Sequence, residues 1–281
     1  MPHPAANTFL QAARLIARDG LREGNRLDFA AGDEVIYAGD IHGHRRNLSR
    51  IITYADLPAR PNRRLVLQEL LHGGPTDPAG GDRSVEVLLR AARLKLAYPD
   101  RVFFLMGNHD LAQFTGNEIT KEGLAMCKAF DAGLDHSFGP AADEVRAAVH
   151  ELLRSLPLAA RCPNGMLMTH SLPSPNRMDL IDWDIFTRPY RDQDLHRGGT
   201  VYEWTWGRGH TPGQLDDLTA RLGARQFLMG HQPVEAGYEV VHDRAVVIAS
   251  DNAHGTVMVF SAGQPVPDGD LPGLIHPIVA L

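Results

Sequence analysis

Four short apolar runs in this chain end on polar residues of metal-ligating type, and that recurrence constrains its fold more than any other feature. Residues 34–38 lead through Gly39 to Asp40 and His42, and residues 101–106 lead through Gly107 to Asn108 and His109. Residues 166–169 end at His170, and residues 226–229 lead through Gly230 to His231. Runs of this length, closed by glycine or a polar residue, read as buried strands. A lone histidine after a strand is more often structural than a ligand. Several at strand ends in one chain point instead to one shared site, because open α/β sheets place their sites at the carboxyl ends of strands. Asp, Asn and neutral His make a hard-to-borderline donor set suited to Mn, Fe, Zn, Co or Ni.

The rest of the chain alternates helices with strands. Residues 5–18 read as an amphipathic helix with Phe9, Leu10, Ala13 and Ile16 on one side. Helical spacing continues over 84–97, with Ser84 as N-cap, and over 143–155. Thr211 and Gln214 form a capping box with Pro212 at the first helical position. Residues 245–249 and 256–260 read as strands, and 263–273, rich in Pro and Gly, as a surface tail. The expected architecture is α/β, a layered β-sandwich flanked by helices, in one domain over 1–281 with its core at about 34–260.

Composition removes several classes of function. A formal net charge of -6 disfavours general binding to nucleic acid or to anionic membranes. No apolar run reaches the eighteen residues of a membrane span, and the N-terminus lacks a secretory pattern. The two cysteines, Cys127 and Cys162, have no metal or redox spacing, so a cytoplasmic setting and inert core thiols are expected.

The quoted motifs Gly39-Asp-Ile-His-Gly43, Gly107-Asn-His-Asp110, Met168-Thr-His170 and Gly230-His231 resemble those of calcineurin-like metallophosphoesterases. The similarity is to the phosphoprotein (serine/threonine) phosphatase branch, in its bacterial type, over roughly 34–260. It implies two divalent ions, with manganese foremost. It also implies that Asp40 and His42 bind the first ion, that Asn108, His170 and His231 bind the second, and that a carboxylate bridges them. By the same resemblance a hydroxide between the ions attacks phosphorus while His109 acts as general acid.

The chain departs from that pattern at one motif. Where the family has a Gly-Asp pair followed closely by Asp-Arg-Gly, this chain has Leu65-Val-Leu-Gln-Glu-Leu-Leu-His-Gly-Gly74. Aligning the apolar strand puts Glu69 at the bridging Asp, His72 at the Asp that orients the catalytic histidine, and Gly73 at the Arg. An inserted loop follows at 75–81. Three readings stand: Glu69 bridges the ions, Asp77 or Asp82 does so from the loop, or the chain is a phospho-ligand binder that kept the scaffold.

Asp110 and Asp82 are candidates for orienting His109. Arg208 and Arg83 are candidates for the phosphoryl oxygens, because guanidinium groups meet them bidentately; Arg45 and Arg46 are weaker ones. His254 and His72 are placed behind the ligands. The expected substrate is a phosphorylated protein or small phosphomonoester, with nucleotide diester or anhydride hydrolysis as the alternative. Oligomeric state is open.

Overall fold

The computed structural model describes residues 2–121, 123–267 and 269–281. Two sheets carry the fold. The first orders β14 (Ile275–Pro277), β13 (Thr256–Ser261), β3 (Glu34–Asp40), β4 (Arg63–Gln68) and β5 (Val102–Leu105) side by side. Its β3, β4 and β5 are parallel, and β13 runs antiparallel to β3. The second orders β1 (Arg22–Glu23), β2 (Arg26–Asp28), β8 (Ala159–Arg161), β9 (Met166–Thr169), β10 (Gln226–Met229), β12 (Ala245–Ile248) and β11 (Tyr238–Val241). Here β9, β10 and β12 are parallel.

Side chains alternate along these strands, so each sheet has an inner and an outer face. Val35, Tyr37, Val66 and Phe103 of the first sheet meet Met168, Leu228, Val246 and Ile248 of the second in one buried core. The intervening Ile36, Ala38, Leu65, Leu67, Phe227 and Val247 face outward and pack with the helices in the other. This is the expected sandwich between helical layers.

The helices are α1 (Pro4–Ala17), α2 (Arg45–Ala55), α3 (Val85–Ala97), α4 (Asn108–Thr115), α5 (Met126–Phe138), α6 (Ala142–Arg154), α7 (Thr200–Trp206) and α8 (Pro212–Leu222). Expected helices and strands are found within one or two residues of their sequence bounds. Two caps differ. Ser84 makes no cap bond to α3, because its hydroxyl donates to Asp82 and accepts from the His72 N–H. Thr211 does cap α8, but Gln214 turns to the Pro173 carbonyl instead of closing the box. The region 111–160 also contains a short hairpin, β6 (Thr120–Lys121) and β7 (Leu124–Ala125), besides its helices. The 263–273 tail is mostly exposed, with Leu271 anchored in the inter-sheet core and Asp268 outside the described residues. Beyond it β14 adds an edge strand that the 34–260 core omitted.

Both cysteines are buried, and burial pushes the Cys127 thiol up to about 12, in keeping with inert core thiols. No helix among the described residues is long and apolar enough to cross a membrane.

The N-terminal helix is fastened by a buried ion pair. Lys95 of α3, 1% exposed, reaches Asp19 just beyond α1 at 3.1 Å and also donates to the Pro99 carbonyl. Burial lowers the Lys95 pKa while Asp19 opposes the shift. Removing one member of such a pair strands the other charge. Asp19→Asn is expected to destabilise the protein by about 3 kcal/mol or more in urea unfolding.

Candidate functional site

Both sheets deliver their carboxyl ends to one place. An isolated parallel bridge joins Asp40 at the end of β3 to Ala249 after β12, which brings the two sheets together there. From these ends, and from the start of α4, come Asp40, His42, Glu69, Asn108, His109 and His231, around a cavity of about 250 Å³. His170 lies fully buried behind it.

Glu69 sits between the two expected groups of ligands. One Glu69 oxygen lies 3.4 Å from His42 Nε2, and the other lies 3.4 Å from His170 Nε2. Asp40 lies 3.9 Å from His42 Nε2 and 3.6 Å from His170 Nδ1. Asn108 Oδ1 is 2.8 Å from both His170 Nε2 and His231 Nδ1. Donor atoms of His42, Glu69 and His109 fall within 4.8 Å of one another, as do those of Asp40, Glu69 and His170. Glu69 alone belongs to both groups.

Local backbone conformation explains the convergence. His42, Glu69, His72 and His231 all have positive φ, at 41°, 38°, 63° and 70°. Such angles are costly for residues with a Cβ, and they persist where surrounding structure imposes them, often at functional sites. The Glu69 turn is held because its carbonyl accepts from the Ile41 and His42 N–H groups. The longer Glu arm is accommodated by Gly107, where a Cβ would collide with Glu69 Cγ and Oε1. Glu69 Oε1 then accepts from the His109 N–H at 2.6 Å. Gly230 serves Asp40 similarly, since a Cβ there would meet Asp40 Oδ1; the following His231 N–H donates to that carboxylate.

The electrostatics favour cations. Burial pushes Asp40 up to about 6, against the opposing effects of His42 and the His231 N–H. Burial, then the charges of Asp40 and Asp110, raises Glu69 well above the carboxylate range. Burial, aided by Arg208, lowers His231 to about 3, and burial holds His170 well below its ordinary value. His170 and His231 are therefore neutral ligand forms, and burial of the carboxyl groups outweighs the positive charges near them. His42 Nδ1 donates to the Leu71 carbonyl at 3.1 Å, and its Nε2 faces Glu69. His231 Nε2 is buried with no hydrogen-bond partner. Converging carboxylate, amide and imidazole acceptors fit divalent ions of the kind expected.

Other expectations change. Asp110 does not face His109; its Oδ2 turns back to the Gly107 N–H at 2.9 Å and caps α4. Burial raises its pKa to about 7. The partner of His109 is His72, with Nδ1 to Nδ1 at 2.9 Å. Asp82 accepts from Gly73 N–H, Ser84 N–H and the Ser84 hydroxyl, so it clamps the corner that presents His72. Asp77 is occupied by the Ala79 and Gly81 N–H groups of the inserted loop. Neither loop acid reaches the ligand groups.

Arg208 lines the cavity, whereas Arg83 pairs with Glu86 outside it, as does Arg45. His254 is exposed and does not line the cavity; Asp251 of the same loop does. Residues unmarked by sequence also line it: Ile119, Thr120 and Lys121 of the hairpin segment, and Gln232. No motif or periodicity flagged the hairpin residues, whereas Gln232 directly follows the His231 motif. Of the three tryptophans, Trp206 faces the cavity and Trp204 is core.

A family model described as calcineurin-like phosphoesterase matches residues 34–267. Serine/threonine-protein phosphatase T of Trypanosoma brucei brucei is 23% identical over 77% of this chain and 45% of its own length. A Caenorhabditis elegans serine/threonine-protein phosphatase is 24% identical over 77% of this chain and 46% of its own. The chain thus spans less than half the length of these relatives. Among solved structures, a Saccharomyces cerevisiae protein serine/threonine phosphatase described as similar to human phosphatase PP5 superposes with TM-score 0.62 at 18% identity, over 92% of this chain and 82% of that one. A cold-active protein-tyrosine phosphatase of a Shewanella species gives 0.60 at 14%, over 88% and 80%. At these identities the structures show a common fold.

The space beside Gly107 provides a test. Gly107→Ala is expected to displace the Glu69 carboxylate and lower manganese affinity about tenfold or more, a loss typical of disturbed ligand support. Isothermal titration of the folded variant with Mn²⁺ measures it; unchanged affinity would show that Glu69 is not a ligand.

Proposed function

The chain belongs to the calcineurin-like phosphoesterase family, a family of metal-dependent hydrolases, and on that footing we propose that it hydrolyses phosphomonoesters of protein or small molecules. The observation that carries this reading is the Glu69 carboxylate, which touches both ligand groups at 3.4 Å. Asp40, His42 and Glu69 would hold one divalent ion; Glu69, Asn108, His170 and His231 would hold the other, with manganese foremost among the candidates. Bound there, such ions supply Lewis acidity and positive charge opposite the phosphoryl oxygens.

The chain's own residues do the rest. Arg208, anchored through its backbone N–H to the Ser174 hydroxyl, offers its guanidinium to the phosphoryl group from the cavity wall. His109 engages His72 through Nδ1, so Nε2 is its nitrogen for the leaving oxygen. The phosphatase names of the two sequence relatives support a phosphorylated substrate.

Chelator treatment is expected to abolish turnover of an aryl phosphate, and Mn²⁺ to restore it. His109→Ala should lower kcat about 10²-fold or more while bound metal, measured by elemental analysis, stays constant. Faster turnover of an aryl phosphodiester than of the monoester would move the assignment to nucleotide diester or anhydride hydrolysis. A chain that holds metal and phosphate without turning over either ester would be a phospho-ligand binder.

A further inference from the structure

A directional hydrogen-bond relay runs from the protein surface to His109. His109 Nδ1 lies 2.9 Å from His72 Nδ1, and His72 Nε2 lies 2.7 Å from Gln113 Oε1. Gln113 Nε2 donates to Asp131 Oδ1 at 3.2 Å, and Arg146 Nε donates to the same oxygen at 3.1 Å. His72, Gln113 and His109 are 0%, 3% and 8% exposed, so they have little water to exchange for these partners. Phe130 lies edge-on to the His72 ring at 5.7 Å.

The polarity of the relay follows from its outer end. An ionised carboxylate only accepts, so Asp131 takes the amide NH₂ of Gln113 and turns the amide oxygen toward His72. A flipped amide would set two oxygens against each other. The Gln113 oxygen needs a donor, which places the hydrogen of neutral His72 on Nε2. His72 Nδ1 is then an acceptor, and His109 must supply the hydrogen from its own Nδ1.

We propose that Gln113 and Asp131 are positioning residues which, through His72, fix the Nδ1–H tautomer of His109. Any proton that His109 gains or gives then passes through Nε2, its other nitrogen, in a ring that lines the cavity. The consequence for catalysis rests on the reading of His109 as proton donor. The hydrogen placement itself does not.

The two parts can be tested separately. In histidine-labelled, zinc-loaded protein, long-range ¹H–¹⁵N spectra assigned with His109→Gln are expected to show His109 as Nδ1–H, with Nε2 carrying no fixed hydrogen. Gln113→Met removes the acceptor and should convert His109 to a mixture of tautomers. Asp131→Asn, half-exposed and remote from the cavity, should shift the population in the same direction by freeing the amide to flip. In turnover, Gln113→Met should slow alkyl phosphates about tenfold more than aryl phosphates, whose leaving groups need less proton donation.

An unchanged His109 tautomer in folded Gln113→Met would overturn the relay. A changed tautomer with equal effects on alkyl and aryl esters would overturn its catalytic role. A wild-type protein inert toward every ester would refute the phosphoesterase reading while leaving the spectroscopic result to stand or fall alone.

Discussion

Asp40 and Glu69 are carboxyl groups enclosed among imidazoles in a space that excludes most water, and much of the surrounding structure serves to keep them there. Burying such groups without compensation is unfavourable, which is why both have raised pKa values. The left-handed backbone at His42, Glu69, His72 and His231 is a second unfavourable ingredient. Rigid elements balance both: strand ends that cannot retreat, N–H donors from Ile41 to His231, and two layers of apolar packing behind them. The convergence of these side chains is thereby set by the strand ends themselves.

The replacement at the second motif follows from the same confinement. A longer carboxylate is compatible with the site because Gly107 leaves room beside it, and its oxygens stay within reach of His42 and His170. With His72 in place of an acid, an imidazole lies beside His109, and Asp82, just after the inserted loop, holds the neighbouring Gly73 N–H in place. The inserted loop itself is closed by Asp77, which lies away from the residues expected to hold metal.

The strands that carry ligands were legible because they are apolar, glycine-terminated and followed by polar residues. β1, β2, β11 and β14 were not, since they are short and partly exposed and carry no clear period. Placement of Glu69 and His72 could be read from the register of 65–74. The orientation of Asp110 could not, because neighbours at a helix start diverge by about 100° and its capping role depends on the Gly107 N–H. Arg208 was marked by its glycine neighbours. Arg83 was the second candidate in sequence but is drawn off by Glu86, a partner visible only once α3 has formed. Lys121 sits on a two-residue strand with no sequence signature, and only the fold brings it to the cavity.

The Asp40–Ala249 bridge has a mechanical consequence. Asp40, Glu69 and Asn108 follow strands of one sheet, and His170 and His231 follow strands of the other. An ion held among them would tie the two halves of the sandwich at one edge, so that sliding of the sheets would disturb its ligands. Resistance of this fold to shear would then depend partly on the supply of ions around it, through ordinary binding linkage.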